Sequence, residues 1–164
     1  MKTSHVVAVA AAAVLSAAIP ALAEASSTTT ASATATAAVA KSWGPYYASA
    51  HRAKAAGKLR VDVADPSAVI PNGPATVSGK ITDSTKNRSC GVAVFRITYL
   101  KADGTLPFKH RSYWACGYHK TKAFHFSDGK VYELELKVCS EGRKSAPSIT
   151  CLYGGTWKVL WVGR

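Results

Sequence analysis

Period-two alternation of apolar and polar residues recurs from Gly57 to Val162, and it constrains the fold more than any other feature of the chain. "GKLRVDV" sets Leu59, Val61 and Val63 against Lys58, Arg60 and Asp62, as in a half-buried strand. "ATVSGKIT" continues through Val77 and Ile81, after turn chemistry at Asp65-Pro66 and in "IPNGPA". "GVAVFRITYL" (Gly91 to Leu100) is apolar on both parities except at Arg96 and Thr98, which predicts a central strand. Asp103-Gly104 and Asp128-Gly129 supply two hairpin-turn signals. Between them, "LPFKHRSYWACGYHK" puts Phe108, His110, Ser112, Trp114, Cys116 and Tyr118 on one face, and a further strand is expected over Thr121 to Ser127. "VYELELKV" groups Tyr132, Leu134, Leu136 and Val138 against Glu133, Glu135 and Lys137. "TWKVLWV" sets Trp157, Val159 and Trp161 on one side. Such a series of short runs predicts an all-β fold, an antiparallel β-sandwich of immunoglobulin-like or jelly-roll-like type.

"YYASAHRAKAAGK" (Tyr46 to Lys58) is less direct. Its alanines favour a helix, with Gly57 placed as a C-cap, yet no stripe of bulky apolar residues emerges. An edge strand packed through Tyr47 is the expectation.

The first 23 residues read as a signal peptide: a basic start at Lys2, the apolar core "HVVAVAAAAVLSAAIP" and the small-residue site "ALA" before Glu24. The apolar run is short for a membrane span, and no second one of spanning length follows. The mature chain is therefore expected to be secreted, extracellular and not membrane-spanning. Residues 24–40, nearly all Ala, Ser and Thr, read as a disordered linker, and 41–164 as one β-sandwich domain.

Four cysteines in an exported chain imply two disulfides. Three pairings are possible. Cys139 and Cys151 flank a polar loop at the end of one strand and the start of the next, so a local clip is the economical choice and leaves Cys90 for Cys116. No Cys-x-x-Cys spacing supports zinc or redox chemistry, and no cofactor is implied.

Lys2 leaves with the leader, so 21 basic residues become 20 against 9 acidic, a formal +11. That excess attracts anions, from envelope polymers to acidic proteins. The basic residues are scattered along the domain, and the sequence outlines no electrostatic footprint. Aromatic residues interleave with cations in the C-terminal half, a pairing suited to carbohydrate or wall polymer and equally to a sandwich core. No nucleic-acid motif accompanies them, and no nucleic-acid partner is expected.

Glu133 and Glu135 lie on one strand face roughly 7 Å apart, within a glycosidase's range, but a solvated face with Lys137 accounts for them without catalysis. His110, His119 and His125 fall on consecutive strands without converging for a metal. Arg96, in the most apolar strand, is either a cross-strand partner of Glu133 or Glu135 or an anion contact. Asn87-Arg88-Ser89 matches the N-glycosylation sequon. No nucleophile elbow, zinc-protease pair or phosphate loop occurs, so catalytic residues and a metal site are not expected.

The leader, "WACGYHK", "VYELELKVC" and the Cys139, Cys151, Trp157 ending together resemble a group of small, secreted, largely uncharacterised actinobacterial proteins. That resemblance spans Gly44 to Arg164 and implies an extracellular disulfide-clipped β-sandwich, and it carries over no established activity or catalytic residues. The expectation is a basic, non-enzymatic binding protein for an extracellular protein, polysaccharide or anionic envelope surface. Arg96, Arg143, Lys144, Trp114 and Tyr118 are its candidate contacts. The alternatives are an enzyme inhibitor acting through the clipped loop over residues 140–150, and a cationic antimicrobial or toxin protein.

Overall fold

The computed structural model describes residues 37–164. The expected signal peptide and residues 24–36 of the expected linker lie outside the described residues. The described residues are all-β and antiparallel, with seven strands and two disulfides. The strands are β1 (Ala37–Tyr47), β2 (Ala53–Val63), β3 (Gly73–Asp83), β4 (Ser89–Tyr99), β5 (Phe108–Cys116), β6 (Thr121–Gly142) and β7 (Lys158–Val162). A 3-10 turn (Ser49–His51) joins β1 to β2, and a short helix, α1 (Ile149–Tyr153), precedes β7.

β1 starts inside the segment expected to be a linker. Ala37 to Ala40 pair with Val63 to Arg60, so backbone bonds to β2 order side chains too small to form a core by themselves. β1 is also the edge strand, but it packs inward through Trp43 and Tyr46, while Tyr47 is 48% exposed. Gly57 caps no helix. It lies opposite Trp43 in β1 and Gly79 in β3, and both glycines make room for the indole, which reaches across them to stack on Phe124 at 6.2 Å.

All seven strands belong to one sheet, ordered β1-β2-β3-β6-β4-β5, with β7 also on β6. The two expected strands on either side of Asp128-Gly129 are one 22-residue strand. The hairpin turn expected there needs left-handed backbone at both central residues. Across 128–130 only Lys130 adopts it, at φ 51°, and the registers to β3 and β4 both slip nearby. The chain bulges and bends without reversing. Residues up to Val131 pair with β3 and those from Val131 onward with β4, so β6 is common to both halves of the sheet.

Residues from the two halves of the sheet share one core. Trp43, Leu59, Val61, Val77 and Ile81 meet Phe95, Ile97, Leu134 and Leu136 there. Phe95 sits at its centre, with ring centroids 6.0 Å from Trp43, 5.3 Å from Phe124 and 5.0 Å from Phe126. β4 is apolar on both parities because both its faces are covered. Ala93, Phe95 and Ile97 enter the main core, while Val92 and Val94 join Cys151 in a second cluster flanked by Trp114, Leu152 and Trp157.

The side-by-side grouping expected for Trp157, Val159 and Trp161 does not occur. Leu160 is the extra residue where the β6–β7 register slips, so Leu160 and Trp161 both enter the core and Val159 turns outward, 51% exposed. The disulfides pair Cys90 with Cys116 and Cys139 with Cys151. The second is not a strand-to-strand clip. Cys151 lies in α1, whose N-cap Ser148 accepts a hydrogen bond at 3.1 Å from the Cys151 amide.

Candidate functional site: a basic sheet face

Strand register assembles what the linear sequence scatters. On the outward face of β1, β2, β3 and the first part of β6, Lys54 lies beside Thr82 and Thr121, and Lys80 lies between Ala56 and Ala123. Lys58 sits between Ser42 and Ser78 with His125 beyond, and Arg60 between Ala40 and Thr76 with Ser127 beyond. Apart from Tyr47, the β1 partner of Lys54, every residue in these rows is small, hydroxylic or basic. Strand geometry sets Lys80 roughly 8 Å from both Lys54 and Lys58. All three are exposed. Along β2 and β3, the carboxylate on this face is Asp62, held by Arg60 at 2.6 and 3.1 Å. Hydroxyl pairs Thr76–Ser127 at 3.0 Å and Thr82–Thr121 at 2.9 Å tie the rows together.

The opposite half carries a different row. His110, Arg96, Glu135 and Val159 are register partners across β5, β4, β6 and β7. Arg96 donates to the buried Glu135 carboxylate, and its guanidinium lies 4.7 Å from the Trp157 ring centroid. The Lys137 ammonium lies 4.7 Å from the same centroid, and His110 stacks on that indole at 5.7 Å. Arg96 is thus an internal ion-pair partner, one of the two roles its sequence context allowed. Burial, then the Glu135 charge, raises Glu133 above the ordinary carboxylate range. Burial, then Arg96, lowers His110, and the same two causes in the same order lower Lys137.

Lys137 is more than the surface charge partner its sequence position suggests. Its ammonium donates to the carbonyls of Leu152 at 3.1 Å and Gly154 at 2.8 Å, closing the C-terminal end of α1. Glu141 accepts from the Ser148 amide at 3.1 Å, so the loop carrying exposed Arg143 and Lys144 is fastened at both ends. Trp114 is half-buried against the second cluster. Tyr118 is 49% exposed beside Lys86 and His119, on the β5–β6 turn away from Trp114's packing. Of the expected contacts, Arg96 and Trp114 share the outer face of β4 and β5 with Trp157, Tyr118 sits on the β5–β6 turn, and Arg143 and Lys144 on the clipped loop. Five of the eight Trp and Phe rings fill the core: Trp43, Phe95, Phe124, Phe126 and Trp161 are all buried. Among the described residues, no three His, Cys, Asp or Glu side chains gather as a metal site.

Sequence reasoning missed Asp83. It is fully buried, and it accepts from the Thr85 amide at 2.9 Å, the Thr85 hydroxyl at 2.7 Å and the Gly117 amide at 2.8 Å. It thereby ties the end of β3 to the β5–β6 turn. The available signal was Asp-x-Ser/Thr spacing, which recurs at Asp65–Ser67 and Asp103–Thr105 in exposed turns. Comparison with family models, curated proteins and solved structures finds no match to this chain.

Proposed function

We propose that this chain is an exported, non-enzymatic binding protein whose basic sheet face holds an anionic glycopolymer of the cell envelope. The observation that carries this reading is the register grouping of Lys54, Lys58, Arg60 and Lys80 among hydroxyls on one open face. A repeating polyanion suits it, because the cations recur at strand spacing among hydroxyls, with Tyr47 at one end of the Lys54 row. Two disulfides and the leader sequence favour an extracellular setting, where such polymers occur. The engagement of Glu135 by Arg96 supports binding over acid–base catalysis, since that carboxylate is already committed.

Retention on isolated cell wall tests the reading. Replacing Lys54, Lys58 and Lys80 together with Gln is expected to weaken binding roughly 100-fold, at about 1 kcal/mol per cation against an anionic surface. Added salt is expected to release the wild-type protein. Equal retention on walls stripped of anionic polymer sinks the proposal.

A second reading, enzyme inhibition through the clipped loop, draws on one observation: Arg143 and Lys144 project from a segment fixed at both ends. A protease panel decides it. Inhibition that survives Arg143→Ala with Lys144→Ala excludes this loop.

A further inference from the structure

A second, separate site lies under the clip. A cleft of about 830 Å³ opens between the β1–β2 turn, the end of β6 and the stretch from Ser148 to Lys158. That volume falls within the range of small-ligand sites. Two features of its walls act against the stability of the free protein. Ser140 Oγ is buried with no hydrogen-bond partner among the described residues. Ala50 and His51 both hold left-handed backbone at φ 53°, a conformation that costs a residue with a Cβ about 1 kcal/mol or more. The His51 ring lies 4.5 Å from that of Tyr47, and both residues line the cleft.

The polar groups of the cleft are unevenly committed. Lys137 is taken up by the α1 carbonyls, and Glu141 by the Ser148 amide. His51, Arg52 and Lys158 have no acidic partner within ion-pair distance among the described residues. Ser140, Thr150 and Thr156 add hydroxyls. A wall of cations and hydroxyls beside an aromatic ring fits a ligand with a polyhydroxylated ring and one negative charge.

We infer that the cleft binds an anionic sugar unit, a monosaccharide ring bearing a carboxylate or phosphate. Its charge faces Arg52 and Lys158, its hydroxyls reach Thr150 and Thr156, and the ring rests against Tyr47. The inference does not depend on the polymer reading, because the Lys58 and Lys80 face is outside this cleft.

Amide-detected NMR titration of the full chain with glucuronate, glucose 6-phosphate and uncharged glucose tests it. Saturable shifts are expected at Ser49 to Arg52, Ser140 and Lys158 with at least one anionic sugar, and about tenfold weaker binding with glucose. Response to glucuronate or to glucose 6-phosphate separates a carboxylate from a phosphate ligand. Arg52→Gln is expected to lower affinity about tenfold, while Lys58→Gln with Lys80→Gln leaves it unchanged. Thr156→Ala is the diagnostic variant: it removes an exposed cleft hydroxyl that bonds to no other described residue, so the melting temperature should hold while sugar binding weakens. No saturable shift with either anionic sugar overturns the proposal, as does equal affinity for all three.

Discussion

Gly57 lies directly beneath the indole of Trp43. A methyl group built on it would stand 2.6 Å from Trp43 Cζ2 and 2.1 Å from the Ser78 carbonyl oxygen. At Gly79, its neighbour in β3, the same addition would stand 2.6 Å from the Ala56 carbonyl oxygen and 2.8 Å from Phe124 Cζ. Neither backbone oxygen can yield without disturbing the β2–β3 ladder. Gly57→Ala and Gly79→Ala are each expected to cost about 3 kcal/mol, at the upper end for overpacking. Thermal melts followed by tryptophan fluorescence give the loss and report whether the indole has shifted.

Asp83 is expected to be the most sensitive polar position. Asp83→Ala leaves the Thr85 and Gly117 amides without their acceptor inside the fold, at a cost of about 3 kcal/mol. Asp83→Asn turns one accepting oxygen into a donor that opposes an N–H or a hydroxyl, and should cost about 2 kcal/mol. Urea midpoints at unchanged slope provide the measurement. A loss below 1 kcal/mol for Asp83→Ala contradicts the anchoring role.

His110 and Glu133 should give the protein opposite pH responses. His110 is held below its ordinary 6.5, so the unfolded chain takes up its proton first. Its contribution is intact above pH 6.5 and is lost as pH falls through the depressed value. Glu133 is held above its ordinary 4.5, so its contribution is intact below that pH and is lost as pH rises through the raised value. His110→Asn is expected to flatten the acid side of the stability profile. Glu133→Gln should raise stability at neutral pH and leave the acid limb unchanged. Melting temperatures across roughly pH 4 to 8 resolve the two effects.

The disulfides should separate in a different way. In the chain-entropy picture, closing the Cys139–Cys151 loop contributes about 3 kcal/mol and Cys90–Cys116 about 3.5 kcal/mol. Cys90 and Cys116 are already register partners on β4 and β5, whereas α1 depends on its bridge and on Lys137. Cys139→Ser with Cys151→Ser is therefore expected to speed amide exchange selectively through 143–157. Lys137→Met should do the same with the bridge intact. Uniform acceleration across the sheet would show that the clip is part of the global fold.

Much of the fold is legible in the sequence because strand periodicity is local. Leu59 to Val63, Val77 to Ile81 and Leu134 to Leu136 declare their faces by alternation alone. The double-sided burial of β4 could be read from Val92 to Ile97 in the same way. What could not be read were features fixed by distant partners. Asp128-Gly129 has hairpin composition, yet Gly73 and Tyr99, far off in the chain, both pair with Val131 and hold β6 extended. Val159 and Leu160 change sides through a one-residue slip against β6. The basic face escaped for the same reason: Lys58 and Lys80 approach each other only once β2 and β3 are in register. Arg96 and Glu135 were plausible partners because both stood out chemically in otherwise regular strands.

β6 also orders events in time. A chain delivered N-terminus first, from a ribosome or through a narrow pore, releases β1 to β3 and then β4 and β5 before the strand that joins them. Each group waits with an exposed ladder edge, one on β3 and one on β4. Neither can finish burying its apolar face until Gly142 has emerged, because Phe124, Phe126, Leu134 and Leu136 all arrive on that strand. Folding is thereby deferred to the end of delivery, which keeps the chain slack enough to thread and leaves its unpaired edges in need of protection until β6 closes them.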